Sequence, residues 1–115
     1  MSAILWSNYG KGSSIKYDLE SERDICAIDI GWFKGDKRIY DFKILCSLSD
    51  SNENGYQYVA PSSFCSSGKT LSPERYTFLK VRARYVKIVV NGNSQNNWAS
   101  ITEVAFYESV DPSSK

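Results

Sequence analysis

The chain has 115 residues, enough for one domain with one core. With 42% hydrophobic residues, 23% charged residues and a net charge of +1, it has an ordinary globular composition and gives no argument for a nucleic-acid or membrane surface. Histidine is absent, which excludes Ser-His-Asp and Cys-His nucleophile activation and the usual zinc sites.

In chain order the pattern is strand after strand. Residues 14–19 (SIKYDL) alternate Ile15, Tyr17 and Leu19 against Lys16 and Asp18. Residues 25–32 (ICAIDIGW) place Cys26, Ile28, Ile30 and Trp32 on one face, and 40–46 place Tyr40, Phe42, Ile44 and Cys46 on one face. A short run at 56–59, then 74–79 (ERYTFL), 85–90 (YVKIVV) and 101–107 (ITEVAFY) complete the set. Gly, Asn, Asp and Ser clusters separate them at 9–13, 34–37, 49–55, 66–68 and 91–97. No helical period is sustained over a long stretch. Short strands at this spacing predict an all-β sandwich or barrel. No apolar run approaches the roughly 20 residues of a membrane span, and the segment 1–6 is too short to read as a signal peptide.

Three cysteines, Cys26, Cys46 and Cys65, fit no metal or redox spacing. They read as buried free thiols, with one disulfide as the alternative and one cysteine left over in that case. Aromatic residues make up 14% of the chain, a number that serves a core and also a sugar- or peptide-binding face.

Four segments in order carry a resemblance: WSNYGKGSSIKYDL from Trp6, IDIGWFKGDKRIYDFKI from Ile28, SSGKT from Ser66, and ARYVKIVVNGNSQNNWASITEVAFY from Ala83. Together they resemble a discoidin, or factor V/VIII type C, domain, and within that group the family 32 carbohydrate-binding modules that accompany alginate and other polysaccharide lyases. The match runs over 6–107. It implies a galactose-binding-like antiparallel β-sandwich of the jelly-roll type, one domain over 1–109, and a tail or linker start over 110–115. It also implies an extracellular or cell-surface setting and a glycan partner held without catalysis, with an attached catalytic domain as a further partner. The alternative within the same resemblance is an adhesion module that binds a protein or a lipid headgroup; Phe33 beside Lys34 is the only hint of a membrane-facing spike.

The family has about two dozen residues before the tryptophan matched by Trp6, and here only 1–5 precede it. The resemblance therefore implies a sandwich that lacks its first strand, with an exposed edge to be covered by a neighbouring chain or by the tail after Tyr107. The same missing segment supplies half of the family's structural calcium site. Glu103 matches the other half, and one carboxylate is a poor match to a cation that takes six to eight oxygens.

In the resembling family the sugar sits on loops at one end of the sandwich, matched here by 7–13, 32–38 and 93–98. Trp98 is the leading candidate, as a stacking platform for a pyranose ring or as a lid on the core. Asn97 and Asn93 are candidates to hydrogen-bond hydroxyls, against a role as turn formers. Tyr9 is either a sugar contact or an exposed turn tyrosine. Trp32 is in phase with the core, whereas Phe33 is out of phase and expected on the surface. Lys37 and Arg38 lie in a charged turn; Arg38 either forks the carboxylate of a uronic acid or pairs with Asp36 or Asp41. Trp6 and Arg84 read as structural. No pair of carboxylates and no activated tyrosine marks an acid–base site.

Overall fold

The computed structural model describes residues 3–51 and 53–108. Seven strands run through the described residues: β1 Ala3–Tyr9, β2 Ser13–Trp32, β3 Tyr40–Ser47, β4 Gln57–Tyr58, β5 Phe64–Cys65, β6 Glu74–Asn93 and β7 Trp98–Glu108. All pairings are antiparallel, in the order β1-β7-β2-β6-β3-β4, with β5 also on β3. A single 3-10 turn, Glu53–Gly55, is the only helical segment among them.

β2 and β6, 20 residues each, are more than twice as long as any of the runs read from the sequence there, because each joins two predicted strands into one. The first half of β2 pairs with the end of β6, from Ser13↔Val90 to Asp18↔Tyr85; the second half pairs with its start, from Arg23↔Ala83 to Ile30↔Glu74. The register shifts between these halves, and there the sheet folds over. β3 then extends one layer through β6, and β7 and β1 extend the other through β2. At the bend Glu20 takes a positive φ of 72° and its N–H donates to Asp18 Oδ1. Arg84 spans the same bend with two bonds to Asp18, at 3.0 and 3.1 Å. The antiparallel sandwich expected from the sequence is thus built from one sheet folded on itself.

The core lies between the layers. Ile28, Ile30, Trp32, Ile101 and Val104 face Tyr40, Phe42, Ile44, Val86, Ile88 and Val90. Trp32 of one layer stacks on Tyr40 of the other at 4.4 Å, and Tyr76 meets Phe42 edge-on at 4.8 Å. Trp32 Nε1 donates to Tyr76 Oη at 2.9 Å, so the indole N–H is satisfied inside. Trp6 packs against the core's margin, as expected.

Cys26 is not in phase with Ile28. The register shifts between Ile25 and Ala27, and the irregularity turns Ile25 fully inward while leaving Cys26 half-buried. All three cysteines are free, but only Cys46 is buried; Cys65, on the short edge strand β5, is exposed. The edge next to β7 is occupied by β1, in register from Trp6↔Ile101 to Tyr9↔Trp98. The tail expected to cover that edge, and the linker over 110–115, lie outside the described residues.

Candidate functional site

Three connections meet at one end of the sandwich. The turn after β1 is tied to the loop before β7 by Gly10 N–H to Asn97 O, at 2.9 Å. The turn after β2 is tied to β7 by Phe33 N–H to Ser100 O, at 3.1 Å. The loop after β6 is tied to the start of β3 by Ser94 N–H to Ile39 O, and Ile39 N–H returns to Ser94 Oγ. Gly35 lets the second connection settle: a Cβ there would lie 2.6 Å from the carbonyl oxygen of Thr70.

Between these connections is an open cleft of about 270 Å³, lined by Ser7, Phe33, Arg38, Trp98 and Ser100. Phe33 and Trp98 are each 41% exposed. Arg38, in contrast, is only 7% exposed, although it ends a run of charged residues. Its Nε donates to Gln95 Oε1 and its Nη1 to Tyr40 Oη, both at 3.2 Å. Tyr40 Oη donates in turn to Phe33 O at 2.7 Å. The Arg38 guanidinium carbon sits 5.6 Å from the centre of the Phe33 ring.

No carboxylate pairs with Arg38 among the described residues, so neither Asp36 nor Asp41 takes the role open to it. Two of the five guanidinium N–H donors are used, which leaves three. Every wholly buried side-chain nitrogen and oxygen among the described residues has a partner, so Nη2, which has none there, is not wholly buried, and Arg38 is one of the residues that line the cleft. Two hydroxyls complete the lining, with Ser7 Oγ donating to Ser100 Oγ at 2.8 Å.

The structure brings together Trp98, Phe33 and Arg38 of the residues singled out in the sequence. Tyr9 is at the same end but outside the cleft lining; it pairs with Trp98 across the sheet, and its ring meets the indole edge-on at 5.3 Å. Trp98 is not a loop residue: it is the first residue of β7. Lys37 is exposed and off the cleft, and contributes its backbone carbonyl to Gln95 Nε2.

Of the two roles open to Asn93, its hydrogen bonds match that of a turn former. Its Nδ2 donates to Asn96 Oδ1 and Trp98 O, and its Oδ1 accepts from the N–H groups of Gln95 and Asn96. The amide is spent on shaping the loop and has no donor left for a sugar. Asn97 is half-buried and outside the cleft lining; its backbone carbonyl, not its side chain, makes the contact to Gly10. Glu103 is exposed, and no cluster of three or more acidic or thiol side chains suited to a metal occurs among the described residues. The described residues do not assemble a calcium site around it. Ser7 opens the segment 7–13 already matched to a sugar loop, but Ser100 and the clamp on Arg38 were not legible as site features, because each depends on contacts between segments distant in sequence.

A model of the F5/8 type C domain matches residues 4–104. No curated protein matches the chain. Among solved structures, the chain is similar to the CBM32 of AlyQ, determined in complex with 4,5-unsaturated mannuronic acid. The TM-score is 0.84 at 36% identity, over 91% of this chain and 78% of that one. It is similar to a truncated AlyQ with CBM32 and alginate lyase domains, with TM-score 0.83 and 36% identity, over 93% of this chain and 27% of that one. It is also similar to a pectin-binding carbohydrate-binding module, with TM-score 0.81 and 30% identity, over 92% and 73%. The fold, the ordered segments and these matches agree: the chain belongs to the F5/8 type C family, among its family 32 carbohydrate-binding modules.

Proposed function

We propose that this domain is a non-catalytic module that holds a single uronate unit of an acidic polysaccharide in the cleft between Phe33 and Trp98. The observation that carries the reading is Arg38, a buried guanidinium with neutral partners only and three unused donors. Burying a charge is costly unless it is paired, and a carboxylate arriving in the cleft supplies the missing pair. A planar carboxylate also matches the two-pronged geometry of guanidinium N–H groups. The Phe33 and Trp98 rings offer apolar faces to the C–H side of a pyranose, and the Ser7 and Ser100 hydroxyls offer hydrogen bonds to its rim.

The cleft is lined by five residues, a footprint that suits one sugar unit better than a run of them. An end unit fits such a cleft, and the module would then tether an attached domain to polysaccharide outside the cell and raise its local concentration there. The bound mannuronic acid and the pectin specificity in the names of two relatives support an acidic ligand. Against a membrane-facing spike, the Phe33 ring lines the cleft together with Arg38 and Trp98.

Titration calorimetry with mannuronate and galacturonate tetramers, beside the neutral mannose and galactose tetramers, tests the reading. The acidic tetramers should bind, the neutral ones should bind at least about ten-fold more weakly, and Arg38→Gln should remove the difference. Equal binding of acidic and neutral tetramers would sink it.

A further inference from the structure

Gln95 occupies a distinctive place in this site. It stands in the loop before β7, is exposed to solvent, and hydrogen-bonds Arg38 of the cleft lining. Its amide makes two bonds that fix its sense: Oε1 accepts from Arg38 Nε, and Nε2 donates to the backbone carbonyl of Lys37 at 3.3 Å. Its own N–H is held by Asn93 Oδ1 at 2.8 Å, so the saturated Asn93 amide sets the backbone from which Gln95 reaches out. The side chain thus bridges the β6–β7 loop to the charged turn and meets the guanidinium on its Nε edge. Tyr40 holds the Nη1 end.

Both acceptors are uncharged. Buried guanidinium groups are ordinarily paired with carboxylates, which hold them in place and cancel their charge at the same time. An amide and a phenol do the first without the second. The full positive charge of Arg38 therefore remains for whatever enters the cleft, while its orientation is set in advance and little side-chain entropy is lost on binding.

Resting on the uronate reading above, we propose that Gln95 is a specificity-determining residue of the site: a neutral clamp that orients Arg38 without neutralising it and so sets the preference for acidic over neutral glycans. A carboxylate at position 95 would occupy the same edge of the guanidinium, and the side chain nearest the ligand's carboxylate would then be an ion pair instead of an unspent cation. Gln95 acts through Arg38 and is a positioning residue.

The experiment compares the parent with Gln95→Glu, Gln95→Met and Arg38→Gln, using the same four tetramers at low and high salt, with a thermal melt for each variant. Gln95→Glu should lose about ten-fold or more in affinity for the acidic tetramers and most of the salt dependence of that binding, because the introduced charge cancels the attraction. Gln95→Met keeps the cation and loses its orientation. It should lose a smaller factor, about three- to ten-fold, and keep the salt dependence. Neither change should alter neutral binding, which a merely structural role would not spare.

If Arg38→Gln abolishes acidic binding while both Gln95 variants bind like the parent, the uronate reading stands and the role of Gln95 is overturned. If Arg38→Gln binds acidic tetramers like the parent, or the parent binds none of them, the uronate reading fails and takes this inference with it. Should Gln95→Glu melt far below the parent, Gln95→Met decides: a loss confined to acidic tetramers supports the clamp, and parental affinity overturns it.

Discussion

Tyr9 and Trp98 are direct partners across β1 and β7, and their rings meet edge-on, 5.3 Å apart at an interplanar angle of 73°. Trp98 also lines the cleft with Phe33. Trp98→Ala should weaken glycan binding by roughly ten-fold to a hundred-fold, from the loss of one stacking aromatic. Tyr9→Ala removes only the support of that ring and should cost a smaller factor, about two- to five-fold. Calorimetry with an acidic tetramer reads both, and a larger loss from Tyr9→Ala than from Trp98→Ala would reverse the assignment.

Gly35→Ala should couple stability to binding. The added Cβ meets the Thr70 carbonyl oxygen at 2.6 Å and the Trp32 carbonyl oxygen at 3.1 Å, both backbone atoms that cannot swing aside. Overpacking of this kind costs about 1–3 kcal/mol. The turn that must shift also carries Phe33 and Arg38, so affinity should fall together with the melting temperature. A variant with the parental melting temperature and unchanged affinity would show that the turn adapts freely.

Acid should destabilise the fold through surface carboxylates. Two bonds from Arg75, at 2.8 and 3.3 Å, hold the Asp29 carboxyl below the usual carboxylate range. Bonds from Arg84 and from the Glu20 N–H do the same for Asp18. A carboxyl whose folded pKa is depressed contributes stability above its unfolded value, near pH 4, and that contribution is lost as pH falls through the folded value. Melting temperatures measured from neutral pH down to about pH 2 should therefore drop most steeply below about pH 4. Asp29→Asn should be less stable than the parent at neutral pH and fall less on acidification. An unchanged acid slope would remove Asp29 from the account.

The cysteines should separate by reactivity. Burial pushes the Cys46 thiol up to about 12, so it holds its proton at pH 8 and is shielded as well. Cys65 is exposed on β5, beside Asp41. A disulfide-exchange reagent at pH 8 should label Cys65 in the native protein and reach Cys46 only on unfolding. Mass mapping of the labelled peptides checks the order, and prompt labelling of Cys46 in the native state would contradict it.

The alternation of Tyr40, Phe42, Ile44 and Cys46 was readable because β3 keeps one face on the core along its length. The same method cut β2 and β6 in two. At the bend Glu20, Ser21, Glu22 and Arg23 are all exposed, so the side-chain pattern reads as a turn although the backbone pairing resumes beyond it. At the site, Phe33 was legible as an aromatic out of phase with the core, and Trp98 as the aromatic that ends the polar segment 93–98. The burial of Arg38 was not, because KGDKR is a surface composition, and only the tertiary partners Gln95 and Tyr40 draw its last residue inward. Which of its two roles Asn93 takes was not readable either: nothing in a run of asparagines says which amide the loop has already used.

The pairing of β1 with β7 also has a consequence for when the site comes into being. Ser7 belongs to the first of these strands and Trp98 to the last, and the cleft needs both. During synthesis no partial chain could recognise its glycan before β7 had emerged and closed against β1. Contacts so distant along the sequence are among the slowest to form. Recognition therefore waits on the β1–β7 pairing, and a bound sugar that touches both strands should slow hydrogen exchange most along this seam.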